Sequence, residues 1–331
     1  MKRIYASLTT ISLTAIAGLS LVTAANAQTS AFPVRPVRIL IPFAAGGGTD
    51  IVARIVGKRL GEQIGQPIVV EPKPGAGGAI AVAELMRAEP DGHTLLLTTS
   101  SHATLPALQK LSWEPADDFT PIARVYSYPF ALVAATVGNP VLRSVDELVS
   151  YARARPGALN WGSSGNGGPQ HLAGEEFMRR TGLRMVHVPY RGNGPMLQAL
   201  VSGEIHLMFD TQTLVIPQAE RGRALPLAIA ADERSRLMPA VPTLKEAGID
   251  FAVKITNFVI APKGVSDPVQ RTLNREIASA LEHPEVKERL ISFGHDVPVA
   301  ADNTPQSVAA HIKDFAKTYG SLVVQLGIKA D

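Results

Sequence analysis

Short apolar runs alternate along this chain with glycine-rich turns and amphipathic stretches. Val37–Ile41 reads as a strand. From about Thr49 to Ile64, the residues Ile51, Val52, Ile55, Val56 and Leu60 fall on one helical face. Pro67–Glu71 reads as a second strand, followed by the turn Pro72-Lys73-Pro74-Gly75-Ala76-Gly77-Gly78 and a helix through Leu85 and Met86. Asp91-Gly92 then opens a strand over His93–Thr98, which runs into Thr99-Ser100-Ser101. The second half follows the same order. Strand Ala158–Trp161 meets a Ser/Gly turn and a helix to Arg180. Strand Met185–Pro189 meets the turn Tyr190–Gly194 and a helix with Met196, Leu197, Leu200 and Val201 on one face. Pro195 suits the first turn of that helix and Gly203 its end. Strand Glu204–Phe209 ends in Asp210-Thr211. Alternation of this kind predicts an α/β fold of two similar lobes, each a mainly parallel sheet with loops at the carboxyl ends of its strands.

Two further apolar runs, Ile122–Thr136 (broken by Pro129) and Phe251–Ile260, read as strands that cross between the lobes. A helix is expected over Val145–Ala154, with Ser144 and Glu147 as a capping box. The tail is helical. Val269, Leu273, Ile277 and Leu281 share one face after Pro268, and Pro284 starts a shorter helix. Val308, Ile312, Phe315, Tyr319 and Val323 point inward after Thr304-Pro305, up to Gly327. This tail is expected to pack on the first lobe. The expected division is 28–126 with 259–331 for lobe 1, and 127–258 for lobe 2.

The first 27 residues change the picture. Lys2 and Arg3 precede an apolar run from Ile11 to Val22, and Ala25-Asn26-Ala27 is a small-x-small cleavage site, so a secretory leader over 1–27 is expected. The run is too short to span a bilayer. The leader holds two of the 32 Lys and Arg residues and none of the 29 Asp and Glu, so the mature chain carries a formal charge of +1. That balance argues against a nucleic-acid partner. The chain has no Cys, which removes disulfides, thiolate chemistry and Cys-based metal sites.

Two glycine-rich turns stand where a strand meets a helix. The first is Phe43-Ala44-Ala45-Gly46-Gly47-Gly48-Thr49-Asp50. The second is Gly162-Ser163-Ser164-Gly165-Asn166-Gly167-Gly168-Pro169-Gln170-His171. Backbone N–H groups at a helix start attract an anion, although such glycines also serve tight turns without a ligand. Nucleotide binding is disfavoured, because neither a Gly-x-x-x-x-Gly-Lys-Ser/Thr pattern nor Gly-x-Gly-x-x-Gly in register is present. Ser163 or Ser164 with His171 and Asp210 invites a hydrolase reading. The spacing Gly-x-Ser-x-Gly is absent, and His171 stands two turns into its helix, where it suits cleft lining or packing at least as well as base catalysis. The eight histidines are scattered and form no metal-binding pair. Asp210 either caps a local turn or lines the cleft. Arg191 is either a solvated loop residue or a partner for an acid. Trp161 and Phe43 serve either the core or a ligand.

These stretches resemble the Bug family of periplasmic solute receptors, also called the tripartite tricarboxylate transporter substrate-binding (TctC) family. The residues that carry the resemblance include Val37-Arg38-Ile39 through Asp50, Gly65-Gln66-Pro67-Ile68-Val69-Val70-Glu71 and Pro74-Gly75-Ala76-Gly77-Gly78. Pro90-Asp91-Gly92-His93-Thr94, Asp118-Phe119-Thr120-Pro121, His187-Val188-Pro189-Tyr190-Arg191-Gly192 and Val241-Pro242-Thr243 continue it. The likeness covers essentially the whole mature chain. It implies a type II-like, two-lobed periplasmic binding protein that closes like a hinge on a ligand carboxylate. The implied contacts are Phe43, Ala45, Gly46, Gly47, Thr49 and Ser100 from the first lobe, and Ser163, Ser164, Gly165, His171 and Asp210 from the second. The sequence departs from the family at Glu71-Pro72-Lys73-Pro74 and at Asn257-Phe258, where a common tryptophan is absent. The implied function is a monomeric periplasmic receptor, without cofactor or metal, that delivers a small organic carboxylate to a membrane transporter or a sensor. A secreted serine hydrolase using Ser164 and His171 is the alternative.

Overall fold

β1 (Val37–Ile41) is buried almost throughout, as a strand covered on both faces must be. After it come α1 (Gly48–Ile64), β2 (Ile68–Pro72), α2 (Ala79–Met86) and β3 (Thr94–Thr99). A 3₁₀ turn, Ser100–Thr104, leads to α3 (Leu105–Gln109) and the long β4 (Phe119–Ala135). The second half holds α4 (Val145–Ala154), β5 (Asn160–Ser163), α5 (Pro169–Thr181), β6 (Val186–Pro189), α6 (Asn193–Ser202), β7 (Leu207–Thr211), α7 (Gln212–Glu220) and β8 (Ala224–Ile229). The chain then returns through β9 (Lys254–Pro262), α8 (Asp267–Glu282), α9 (Pro284–Ser292), α10 (Pro305–Phe315) and α11 (Ser321–Leu326). The structure is a computed structural model that describes residues 32–109 and 111–328. The leader expected over 1–27 lies outside the described residues. Among the described residues, no helix is long and apolar enough to cross a membrane.

The sheet repeats one arrangement twice. β1 pairs in parallel with β2 and β3, and β3 pairs antiparallel with β9. β5 pairs in parallel with β6 and β7, and β7 pairs antiparallel with β4. The order β2-β1-β3-β9 therefore matches β6-β5-β7-β4. β4 joins the two. Its first part, Phe119–Pro129, lies along β9, and from Phe130 it runs between β7 and β8. Pro129 sits at the change of partner, where a residue without an N–H fits an interrupted ladder.

Several elements differ from the sequence reading in their ends. β7 starts at Leu207 rather than Glu204. Gly203 ends α6 in the left-handed region, and the Glu204 and Ile205 N–H groups fold back onto the Ala199 carbonyl. β5 runs over Asn160–Ser163 rather than Ala158–Trp161. Ile51 is 42% exposed, so the buried stripe of α1 is Val52, Ala53, Val56 and Leu60. Ser144 accepts from the Glu147 N–H, but the Glu147 carboxylate takes the N–H of Arg143, one residue before the expected one. The tail packs on α1 and β4 through α8, as expected, but α11 rests on α3 and α5 and so reaches the second half. α7 and β8, which the sequence pattern does not predict, each carry an internal proline, Pro217 and Pro226.

The core explains one glycine outright. A Cβ at Gly174 would stand 2.1 Å from the Trp161 ring, so α5 lies directly on the indole. Trp161 is 2% exposed and belongs to the core.

Candidate functional site

The two glycine turns sit at equivalent places, at the carboxyl ends of β1 and β5. In the first, Gly46 adopts a φ of +79°, a left-handed conformation that glycine takes without strain. The Gly46 N–H donates to Asp50 Oδ2 at 2.9 Å, and Arg54 pairs with the same carboxylate. Arg54 holds the Asp50 carboxyl below its usual range in spite of burial. α1 starts after Gly47 with no side-chain cap, so the N–H groups of its first turn are left for another acceptor. Ala44, Ala45, Gly46, Gly47 and Gly48 are exposed, and Phe43 and Thr49 are half-buried.

In the second turn, α5 starts after Gly168, again with no side-chain cap and with Pro169 in its first turn. The Ser164 hydroxyl donates to Gln170 Oε1 at 2.8 Å. Ser163 is fully buried. Its hydroxyl donates to the Gly165 carbonyl at 3.0 Å and lies 2.7 Å from His187 Nε2. The ring of His187 stacks on His171 with centroids 3.8 Å apart, and Trp161 lies against both. Leu108 of α3 packs against Gly167 so closely that a Cβ there would lie 2.4 Å away.

A file of side chains along β4 runs from one turn to the other. The Tyr126 hydroxyl donates to Thr49 Oγ1 at 3.4 Å. Tyr126 stacks on Tyr128 and on His295, whose ring centroid is 4.3 Å away. Burial pushes the hydroxyls of both tyrosines above their usual range, so both stay protonated donors. Tyr128 lies near Asp210 and Asn257, which both bear on its ionisation. Asp210, at the end of β7, is fully buried. Its Oδ1 accepts from the Thr211 N–H at 2.7 Å and from Asn193 Nδ2 at 2.8 Å, and the Gln170 side chain also hydrogen-bonds the carboxylate. Burial pushes the Asp210 carboxyl up to about 7, against the lowering effect of Thr211, Asn193 and Gln170.

The expected site residues therefore fall into two groups. Phe43, Ala45, Gly46, Gly47, Thr49, Ser164 and Gly165 form the two turns themselves. Ser100, Ser163, His171 and Asp210 are buried. Ser100 is fully buried, accepts from the Thr256 N–H at 3.0 Å and lies 2.9 Å from His311 Nε2, so its hydroxyl ties β9 to α10. The Ser164–His171 pair of the hydrolase reading is not formed. Ser164 is engaged with Gln170, and His171 Nδ1 accepts from the Gly167 N–H at 2.9 Å. Ser163 does meet a histidine, His187, but its hydroxyl is fully buried and is shared with the Gly165 carbonyl. Among the described residues, no group of three His, Cys, Asp or Glu side chains is placed to hold a metal ion. Arg191 is exposed.

Sequence reasoning missed Tyr126, Tyr128, Gln170, Asn193 and Asn257 as members of this file. The one available signal was the two-residue spacing of Tyr126 and Tyr128, which puts both on one face of a strand. Two surface cavities, of about 620 and 520 Å³, lie elsewhere. One is beside Arg153, Arg180 and Asp250, the other beside Pro106, Pro115 and Val324.

The comparisons agree with this architecture. Residues 52–328 match the profile described as tripartite tricarboxylate transporter family receptor. The protein BugT of Bordetella pertussis is 33% identical over 326 residues, covering 96% of this chain and 98% of BugT. MatC from Rhodopseudomonas palustris, solved with bound malate, superposes with a TM-score of 0.79 at 34% identity, covering 88% of this chain and all of MatC. A second R. palustris protein, solved with adipate, gives a TM-score of 0.81 at 31% identity, covering 90% of this chain and 99% of its own. By profile, sequence and fold, the chain belongs to the tripartite tricarboxylate transporter receptor (TctC) family, which includes the Bug proteins.

Proposed function

We propose that this protein is a periplasmic receptor that captures a small organic carboxylate between two lobes, performs no chemistry on it, and delivers it to a tripartite tricarboxylate-type transporter or a sensor. The observation that carries this reading is the pair of uncapped, glycine-started helices, α1 and α5, each set after the first strand of a matching sheet unit. Oriented N–H groups hold a carboxylate without a buried cation and its large desolvation cost. The solved relatives with malate and adipate support the choice of anion. The first-lobe contacts are Phe43, Ala45, Gly46, Gly47 and Thr49. Ser164 and Gly165 face them from the second lobe, with Ser163 and His171 buried beside that turn. On this reading lobe 1 is 28–126 with 259–331, lobe 2 is 127–258, and β4 and β9 cross between them. Closure draws on the ligand's stronger contacts in the closed state.

A thermal-shift screen of mono-, di- and tricarboxylates on the mature protein tests this. A ligand at 100 times its Kd stabilises the fold by about 2.7 kcal/mol. At least one acid should raise the midpoint while its primary amide does not. An amide that stabilises as well as its acid would refute the carboxylate reading.

A further inference from the structure

Two leucines sit on two glycines, and on the lobe division above each pair spans the lobes. Leu108 of α3 comes from lobe 1, and Gly167 belongs to the second turn. Gly167 is buried at a φ of +71°, and a Cβ there would lie 2.4 Å from both Leu108 methyl carbons. The second pair runs the other way. Leu237 comes from lobe 2, and Gly294, just after α9, comes from lobe 1. Gly294 has a φ of +75°, and a Cβ there would lie 2.9 Å from Leu237 Cδ1. Glycine serves twice at each place. It takes the left-handed backbone without strain, and its bare Cα leaves a notch for the leucine. Each leucine is tied to its own lobe. The Gln109 side chain beside Leu108 donates to the Ala76 carbonyl at 2.7 Å. The Leu237 N–H donates to Ser235 Oγ at 3.1 Å, and the Ser235 hydroxyl bonds Gln212 of α7. At the same junction the Thr213 hydroxyl donates to the Phe293 carbonyl at 2.7 Å, a direct bond from α7 to the end of α9. The two junctions are distinct. Leu108 follows β3, while Gly294 stands just before Asp296, which bridges to Ser127 of β4, and β9 lies between β3 and β4.

We propose that these two leucine-on-glycine contacts are latches that hold the lobes together and set how long a bound acid stays, without touching it. The proposal rests on the two-lobed carboxylate-receptor reading above and adds the residues that regulate its site. A hinge motion that parts the lobes must lift Leu108 off Gly167 and Leu237 off Gly294, which returns apolar surface to water. That contact energy belongs to the closed state alone, so it opposes opening by an amount that does not depend on the ligand. Residues that touch a ligand change the ranking of one acid against another. A latch scales every acid by one factor, because it acts through the closed fraction that all of them share. The two leucines also differ in a useful way. Leu108 is 8% exposed and joins the core, whereas Leu237 is 36% exposed even with its contact made, so its truncation removes little besides the latch.

The test is stopped-flow release of succinate, malate, adipate and citrate from the mature protein, followed by tryptophan fluorescence. Leu237→Ala should release each acid that binds wild type about four- to fifteenfold faster, the worth of one or two methylenes taken out of contact. The factor should be the same for every acid, so their order of affinity is kept. Leu237→Met keeps a long apolar side chain and should return release to within about twofold of wild type. Leu108→Ala should act in the same direction, and where its core role keeps it from folding, the Leu237 pair carries the test alone. Release from Leu237→Ala at the wild-type rate overturns the proposal. So does a factor that changes from acid to acid, which would place Leu237 against the ligand. Either result, obtained with acids that bind, defeats the latches and leaves the receptor reading standing. If none of the acids binds wild type, that reading falls and the latches with it.

Discussion

Replacing Asp210 by asparagine removes a carboxylate that the fold buries completely without a cation beside it. In the unfolded chain this carboxyl titrates at its ordinary 3.8, while burial lifts it to about 7 in the fold. The folded state therefore holds its proton more tightly. Between those two values the unfolded chain binds fewer protons, so this group costs stability as pH rises from about 4 to about 7. At ~1.4 kcal/mol for each tenfold difference, the full cost above pH 7 is about 4 kcal/mol. Asparagine keeps the Oδ1 contacts with Thr211 and Asn193 but turns an NH₂ into the space where Oδ2 stood. The lost acceptor gives back about 1–3 kcal/mol. The net expectation is a variant about 1–3 kcal/mol more stable than wild type at pH 8. With an unfolding entropy near 2.1 cal/mol/K per residue over roughly 300 residues, this is about 2–5 °C. The advantage should vanish, and turn into a small deficit, near pH 4. The assay is thermal unfolding of ligand-free wild type and variant across pH 4–8.5. A stability difference that stays constant across that range would refute the strained carboxylate, because only the burial of a charge makes it depend on pH.

Three histidines, two buried and one half-buried, give the opposite slope. Burial lowers His102, His295 and His311 to about 4, so each contributes stability that is present above about 6.5 and is lost as pH falls towards 4. His102 stacks on Trp113, and His102→Gln should shrink the acid-side fall of the urea midpoint followed by tryptophan fluorescence; an unchanged acid limb would exclude His102 as a contributor. Gly174→Ala forces a methyl onto the Trp161 ring and should cost about 1–3 kcal/mol in urea unfolding, as overpacking does. A neutral result there would mean that α5 is not seated on the indole.

Much of the fold was legible because the pattern of the chain was locally consistent. β1, α1, α2 and α8 carry their signals within one element: an apolar run, a glycine turn, a proline start. The doubled order of strands could also be read, because each unit needs the same sequence of turn and helix. β8 and α7 were not legible, since Pro217 and Pro226 interrupt the patterns by which such elements are recognised. The glycine turns were found because backbone that takes a positive φ requires a particular residue type. What sequence could not give was the partner of each hydroxyl. Ser100 and Ser164 look alike in the chain, yet one ties β9 to α10 and the other lies beside Gln170 at a helix start. Those pairings depend on which strands the sheet sets side by side. The file of Tyr126, Tyr128, Asp210 and Asn257 is likewise a product of register between β4, β7 and β9.

The central claim is that the two turns grip one carboxylate from both sides. Calorimetry of Thr49→Val, Ser164→Ala and the double variant, titrated with the acid found by the thermal screen, tests it most directly. Each hydroxyl that bonds a carboxylate is worth about 1.5–3 kcal/mol, so each single variant should weaken binding about 10- to 150-fold. The double variant should show non-additive loss, because both hydroxyls hold the same group. Wild-type affinity in both single variants would contradict the account.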